Sequence, residues 1–408
     1  MINVAIMGHG TVGSGVAEIL LNNKNISSSI NEDFNIKYIL DIRDFDGLSY
    51  ADKFTKDFND IVNDDEVKVV AEVMGGVNPA FDFVKRCLEA GKSVVTSNKE
   101  LVAKKGAELL AIAKEHNVNF LFEASVGGGI PIIRPLNNCL VANEVDEIAG
   151  ILNGTTNFIL TKMITESMSF KDALALAQQL GYAERDPSAD VEGHDACRKI
   201  CILASLAYGK HVYPDNIHTE GITNISLEDV EYANQWGGVI KLIGDVKHME
   251  NDMLDIFVAP MLVSNDSQLS SIDDVFNGIL VRGDSTGDVV FYGKGAGKLP
   301  TASAVVADIV DCVKHISAKK YKFWEDCDGS NVLPYEESVS AMYVRAIGDI
   351  KVAKAVFGEI SKLQRNNAPD NEIAFTTSAM TVKEFNDKLS QLAENGVEVI
   401  NTIRIGDL

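Results

Sequence analysis

A strand-like run, Ile2 to Met7, leads directly into Gly8-His9-Gly10-Thr11-Val12-Gly13 and then into a helical pattern through Ala17 to Leu21. A G-x-G-x-x-G spacing alone constrains little. Set between a strand and a helix, it marks a tight turn and a close backbone approach that glycine permits, and it offers helix N-terminal amides to a pyrophosphate. That context points to a parallel, doubly wound sheet binding a dinucleotide at its first crossover. The alternation continues through about residue 125. Strands are expected at Ile36 to Leu40, Val67 to Met74, Ser93 to Thr96 and Val118 to Phe122, with helices at Pro79 to Glu89 and Glu100 to Glu115.

The end of the second strand reads Leu40-Asp41-Ile42-Arg43-Asp44. An acid there suits a free ribose 2′-hydroxyl and an arginine suits a 2′-phosphate, so NAD and NADP both stay open, with Arg43 a modest vote for NADP. Glu123-Ala124-Ser125-Val126-Gly127-Gly128-Gly129-Ile130-Pro131 leaves this domain. Three consecutive glycines bend the backbone and expose carbonyls. Beside one acid they make an oxygen-only environment that suits a hard cation, and equally a hinge whose Glu123 only caps something.

Past Glu144 strands mix with helices. A strand over Val145 to Leu152, helices over Thr156 to Ile164 and Phe170 to Leu180, and one continuous helix over Ser188 to Ala207 are expected. Strands at Val239 to Val246, Asp255 to Val263, Gly278 to Arg282 and Val289 to Tyr292 follow. Gly293-Lys294-Gly295-Ala296-Gly297 then opens a helix near Thr301 and returns the chain to the cofactor. The C-terminal part reads as strands at Ser340 to Ala346, Glu372 to Thr377 and Val397 to Ile405, with helices at Val352 to Leu363 and Val382 to Glu394. The expected architecture is therefore α/β: a Rossmann-type domain over 1–128 plus about 295–320, an α+β domain over 129–294, and a small α+β sandwich over 335–408.

The stretch GYAERDPSADVEGHDACRK, Gly181 to Lys199, sets Glu184, Asp186, Asp190, Glu192 and Asp195 before Lys199. Asp195 and Lys199 are four apart and share a helix face. The continuation, Ile200 to Ala207, is apolar on nearly every side and should be buried, so this charge sits at the edge of a core, where it must be paired or employed. His194, next to Asp195, points elsewhere on a helix and reads as structural.

A net charge of −22 with scattered lysines and arginines excludes nucleic acid and anionic membrane surfaces as partners. No apolar run approaches the ~20 residues of a membrane span, and no signal-peptide pattern follows Met1, so a cytoplasmic protein is expected. The six cysteines lack C-x-x-C spacing and read as reduced packing residues.

With these motifs in chain order, the sequence resembles the homoserine dehydrogenase family along its whole length. The resemblance is carried by GHGTVGSG, EVMGG at Glu72 to Gly76, SNK at Ser97 to Lys99, EASVGGGIP, LNGTTN at Leu152 to Asn157, the acidic stretch, GKGAG before TASAVVAD, and a tail similar to an ACT domain. It implies reversible NAD- or NADP-dependent interconversion of L-homoserine and L-aspartate 4-semialdehyde, in threonine and methionine biosynthesis. It also implies a substrate and dimerisation role for the second domain, and a homodimer. In the family pattern Lys199 matches the proton donor, Asp195 the carboxylate beside it, and Lys99 a lysine near nicotinamide and substrate. Glu184 and Asp190 match substrate-binding acids, lined by Tyr182, Gly154 and Thr155. Gly8, Gly10, Thr11, Val12, Gly13 and one of Gly295 or Gly297 match cofactor contacts. Glu123 with the carbonyls of Val126, Gly128 and Ile130 matches a sodium site.

The residue chemistry runs parallel. Carboxylates such as Glu184 and Asp190 suit an ammonium-bearing substrate, and a lysine beside an acid is a protonated donor at neutral pH. Homoserine oxidation is then expected to accelerate at higher pH. The tail departs from the ACT pattern: Asp349-Ile350-Lys351-Val352-Ala353 lacks the glycine expected at the turn into its first helix. This weighs against threonine binding and toward subunit pairing through the sheet. Two other readings are an aspartate semialdehyde dehydrogenase, which needs an activated cysteine that Cys139 and Cys197 do not suggest, and a non-catalytic cofactor sensor.

Overall fold

The computed structural model describes residues 1–22, 32–250, 252–318 and 323–408. The chain divides into two compact units. One comprises Met1–Ala142, Cys201–Pro214 and Gly293–Gly329; the other comprises Asn143–Ile200, Asp215–Tyr292 and Ser330–Leu408. Residues 129–142 therefore stay with the first unit instead of opening a second domain at 129. Of the returning segment expected over about 295–320, residues 319 and 320 lie outside the described residues.

In the first unit β1 (Ile2–Met7), β2 (Phe34–Leu40), β3 (Phe54–Thr55), β4 (Val67–Glu72), β5 (Ser93–Thr96) and β6 (Phe120–Leu121) form a parallel sheet in the order β3-β2-β1-β4-β5-β6. The strands are apolar on both faces, as a sheet covered on both sides requires. The chain leaves β1 toward β2 on one side and is joined by β4 on the other, so the strand order reverses at β1. That reversal opens a crevice beyond the carboxyl ends of β1 and β4, where ligands of such sheets bind. Val4, Ile6, Val69, Ala71 and Val95 form the core with Val16 and Ala17 of helix Thr11–Asn22 and with Ala302, Val305 and Ile309 of helix Lys298–Lys314. These helices lie so close that a Cβ on Gly15 would stand 2.9 Å from the Ala302 Cβ. β6 is shorter than the run Val118 to Phe122 suggests, because Phe122 already leaves the sheet to cap a 3-10 turn at Glu123–Ser125.

The second unit holds β7 (Val145–Ile151), β8 (His218–Thr219), β9 (Gly238–His248), β10 (Leu254–Ser264), β11 (Phe276–Gly283) and β12 (Gly287–Lys294). Toward the C-terminus it adds β13 (Val339–Ser340), β14 (Met342–Ile347), β15 (Ile360–Leu363), β16 (Glu372–Thr377), β17 (Met380–Thr381) and β18 (Glu398–Ile405). The main sheet runs β12-β11-β7-β9-β10-β18-β14-β16-β15, with β8 also on β10. The C-terminal β14-helix-β15-β16-helix-β18 segment has its own core, including Val344, Phe375, Phe385 and Leu392. It is nonetheless not a detached module: β18 pairs in parallel with β10, Met261 opposite Arg404 and Leu262 opposite Ile405, so one sheet continues through both.

Two expected helices change. Ser188 to Ala207 is not continuous: helix Ser188–Val191 ends and His194–Tyr208 begins around Gly193, which sits at φ +87° against the Glu220 carbonyl. The chain turns there because glycine adopts the left-handed region without a Cβ penalty. Val352 to Leu363 is likewise a helix only to Phe357; Gly358, at φ +81°, reverses it into β15. Helix Leu227–Trp236, closed by a Ser226–Asp229 capping box, was not legible as an element. Among the described residues no helix is long and apolar enough to cross a membrane.

Candidate active site

The glycine loop behaves as its sequence demands. Gly8 takes φ +99° and its amide donates to the Leu40 carbonyl at 2.8 Å. Helix Thr11–Asn22 follows, and a Cβ on Gly13 would lie 2.0 Å from the Gly8 carbonyl oxygen, so only glycine lets the helix start this close to the strand. Around Gly10 the position of a Cβ is open. With Thr11 and Val12 at the helix start, the loop leaves room for a ligand's phosphates at the positive end of the helix. No acid or base occupies that first turn's acidic position. The loop fits a dinucleotide.

The neighbouring strand ends are tied together by a buried acid that sequence reading missed. Glu72, at the end of β4, accepts from Thr96 Oγ1 at 2.6 Å and from the Met74 amide at 2.8 Å. Burial pushes its carboxyl upward against those hydrogen bonds. Asn98 closes the set: its amide donates to Thr96 Oγ1, its Nδ2 donates to the Gly76 carbonyl at 2.6 Å, and its Oδ1 caps helix Lys99–Glu115 through the Leu101 amide. Lys99 is thereby fixed as the first residue of that helix, on the same rim as the glycine loop's strand.

Asp41 and Arg43 are partners. Asp41 accepts from the His9 and Arg43 amides and from Arg43 Nε and Nη2, and the guanidinium holds its carboxyl well below the usual range. Arg43 also donates to the His9 carbonyl and lies over the Phe45 ring, while its side chain stays 58% exposed. The acid is occupied and the cation faces outward.

Of the two readings of Glu123, cation ligand or cap, the hydrogen bonds of its carboxylate follow the capping one. Its two oxygens accept from the amides of Ile132, Ile133 and Arg134 at 2.7, 2.8 and 2.9 Å and from Arg134 Nε at 3.0 Å. Asp308, 1% exposed on helix Lys298–Lys314, accepts from the Glu123 amide and faces Arg134. Burial pushes its carboxyl up to about 8, with Arg134 opposing and Glu123 adding to the shift. What remains for a cation is backbone oxygen. Among the described residues no hydrogen bond between backbone groups outside regular elements ends on the carbonyls of Val126, Gly128 or Ile130. That donor set suits a hard ion such as sodium. The glycine run also has a packing role: a Cβ on Gly128 would meet the Gly295 carbonyl at 2.5 Å, and the Gly129 amide donates to the Lys294 carbonyl. Gly297, at φ +124°, is the cap of helix Lys298–Lys314.

In the second unit the acidic stretch gathers around the start of helix His194–Tyr208. Lys199, 6% exposed, donates to the Leu152 carbonyl at 2.6 Å and to Asp195 Oδ2 at 2.7 Å; Asp195 is 3% exposed. Asn153, which sequence reading passed over, reaches both acids: its Nδ2 donates to Asp190 Oδ1 at 2.7 Å and to Asp195 Oδ2 at 2.8 Å. Its signal was its place before the helical run of LNGTTN, where asparagine caps. Gly154 begins helix Gly154–Glu166, too close to the Val275 carbonyl for any side chain. Thr155 Oγ1 donates to the Tyr182 carbonyl, and the Tyr182 ring packs edge-on to Phe158. Glu184 lies exposed on the turn after helix Phe170–Gln179, its carbonyl held by Gln178 Nε2. His194 is exposed and pairs with Glu192 at 3.2 Å, outside the cluster.

Chemically, one unit offers a backbone cradle for a dinucleotide and the other a buried ammonium beside a carboxylate. Comparison with known proteins agrees with that pairing. A family model for the homoserine dehydrogenase NAD-binding domain matches residues 8–123, and one for homoserine dehydrogenase matches 131–310. A homoserine dehydrogenase of Synechocystis is 43% identical over 324 residues, 78% of this chain and 74% of that one. The crystal structure of a homoserine dehydrogenase from Thiobacillus denitrificans superposes with TM-score 0.91 at 35% identity, covering 100% of this chain and 98% of the other. A hyperthermophilic archaeal homoserine dehydrogenase mutant in complex with NADPH matches with TM-score 0.66 at 30% identity, covering 77% of this chain and 98% of that one.

The chain belongs to the homoserine dehydrogenase family of NAD(P)-dependent oxidoreductases.

Proposed function

Starting from that family membership, we propose that this enzyme interconverts L-homoserine and L-aspartate 4-semialdehyde, with Lys199 handling the proton at the reacting oxygen. The observation that carries this reading is the buried Lys199–Asp195 pair, 2.7 Å apart, at the first turn of an otherwise apolar helix. A buried ion pair is weak support for stability, so a proton-handling role is the better reason for its presence. Bound nicotinamide supplies the hydride chemistry. In reduction Lys199 stabilises the developing charge on the carbonyl oxygen and gives up a proton; in oxidation its neutral form takes the hydroxyl proton. Asp195 holds the ammonium in place. Asp190 and Glu184 bind the substrate's ammonium group, with Tyr182, Gly154 and Thr155 as the wall of that pocket.

Gly8, Gly10, Thr11, Val12, Gly13 and the Gly295–Gly297 loop hold the dinucleotide, and Lys99 acts beside its nicotinamide. Arg43 favours NADP: its guanidinium is exposed while Asp41 is already engaged. The carbonyls of Val126, Gly128 and Ile130, with the backbone of Glu123, would hold sodium, which would fix the loop that leaves the nucleotide-binding sheet. The C-terminal unit, with strand order β18-β14-β16-β15, is read as ACT-like and as a pairing surface in a cytoplasmic homodimer. The test is nicotinamide absorbance during L-homoserine oxidation with NAD and NADP in parallel. Turnover with L-homoserine, faster with NADP and rising toward alkaline pH, is expected. Cofactor binding without turnover would overturn the reading in favour of a sensor.

A further inference from the structure

We infer that Asn153 is a positioning residue of this reaction: its single amide nitrogen bridges Asp190 and Asp195, fixing the ammonium-binding acid relative to the proton-handling Lys199. This rests on the roles proposed above for Lys199 and Asp190. Asn153 precedes helix Gly154–Glu166, and its Oδ1 accepts from the Thr156 amide at 2.8 Å and from Thr156 Oγ1 at 3.1 Å. The side-chain oxygen is thus committed to capping the helix. The opposite end carries two hydrogens, and two carboxylate oxygens stand at 2.7 and 2.8 Å to receive one each. Turning the amide over would break the cap and set its oxygen against both acids, so one orientation is locked.

The consequence is electrostatic as well as geometric. Lys199 serves Asp195 Oδ2 directly, and Asn153 Nδ2 reaches Asp190 Oδ1 and Asp195 Oδ2 together. The Asn153 N–H pair supplies the positive dipole that lets two acids be held side by side. Asp195 Oδ2 receives both Lys199 Nζ and Asn153 Nδ2, so its position is pinned from two elements, helix His194–Tyr208 and the end of β7. A substrate carrying an ammonium at one end and a hydroxyl or carbonyl at the other spans these two acids. One amide sets that span.

The test uses the full-length chain carrying Asn153→Asp, which keeps the cap acceptor but replaces the two donors by an oxygen. Steady-state kcat and KM for L-homoserine are measured at saturating NADP, with a thermal melt. Loss of a charge-assisted hydrogen bond predicts KM raised roughly tenfold and kcat lowered by roughly tenfold or more. Thr156→Val, which removes one bond to Oδ1 but leaves both bridging donors, should keep KM within about twofold of wild type by the same scale. Asn153→Ser, a cap that cannot reach the acids, gives the same KM test where Asn153→Asp does not fold. A variant of Asn153 that folds with unchanged KM, or Thr156→Val reproducing the KM rise, would overturn the inference. Lys199→Arg run alongside separates the two levels: retained turnover there contradicts the role of Lys199 itself, whatever Asn153 does.

Discussion

Two regions of this molecule bury carboxylates, and they use them in opposite ways. The Glu123 carboxylate accepts from the amides of Ile132, Ile133 and Arg134 and from the Arg134 guanidinium, a group that does not release its proton in proteins. Around Asp195 the partners are an asparagine amide and the ammonium of Lys199, which can. The first acid fastens a loop to three successive amides of the segment that follows it. The second sits beside the ammonium proposed above as the proton donor. A buried acid is therefore sorted by what donates to it, and burial alone does not do the sorting.

The largest expected effect breaks the first region. Glu123→Gln replaces one oxygen of an acceptor-only carboxylate by an NH2 donor facing amide and guanidinium donors, and leaves Arg134 without its closest anion. A loss of about 3–5 kcal/mol in stability is expected, read as a lower urea midpoint, while the kcat of the folded fraction stays near wild type. Asp195→Asn should do the reverse: about a hundredfold lower kcat in L-homoserine oxidation, with NADP affinity by fluorescence titration retained.

Asp308 sharpens the comparison through pH. Its folded carboxyl titrates near 8 against an ordinary 3.8, so the folded state binds more protons between those values and stability falls as pH rises through that window. Asp308→Asn removes the titration. Between pH 6 and 9 the wild type should lose roughly 3 kcal/mol more than the variant, measured by paired denaturant melts. The smallest effect lies at the cofactor end, where Arg43→Ala should cut the kcat/KM preference for NADP over NAD by about tenfold.

How much of this was legible follows the same division. Gly8, Gly10 and Gly13 work through backbone geometry at fixed spacing, so their pattern stands in the sequence directly. The Asp195–Lys199 pair was legible because both residues lie on one helix, four apart. Asn153 was not, since its partners are 37 and 42 residues away and only the folded chain brings them together. Glu123 shows the converse case: its type left cation ligand and cap both open, and only the fold shows its carboxylate receiving the amides of 132–134. The helix break at Gly193 was missed because the acidic stretch around it was read as the first turn of the same helix, and only the φ of the glycine betrays the turn.

Lys199→Arg tests the contrast between the two regions most directly. It keeps a cation beside Asp195 but removes a proton that can be given up near neutral pH. The expected result is a folded enzyme with wild-type NADP affinity whose L-homoserine turnover falls by at least about a hundredfold. Turnover within a few fold of wild type would mean that Lys199, like Arg134, only holds an acid in place.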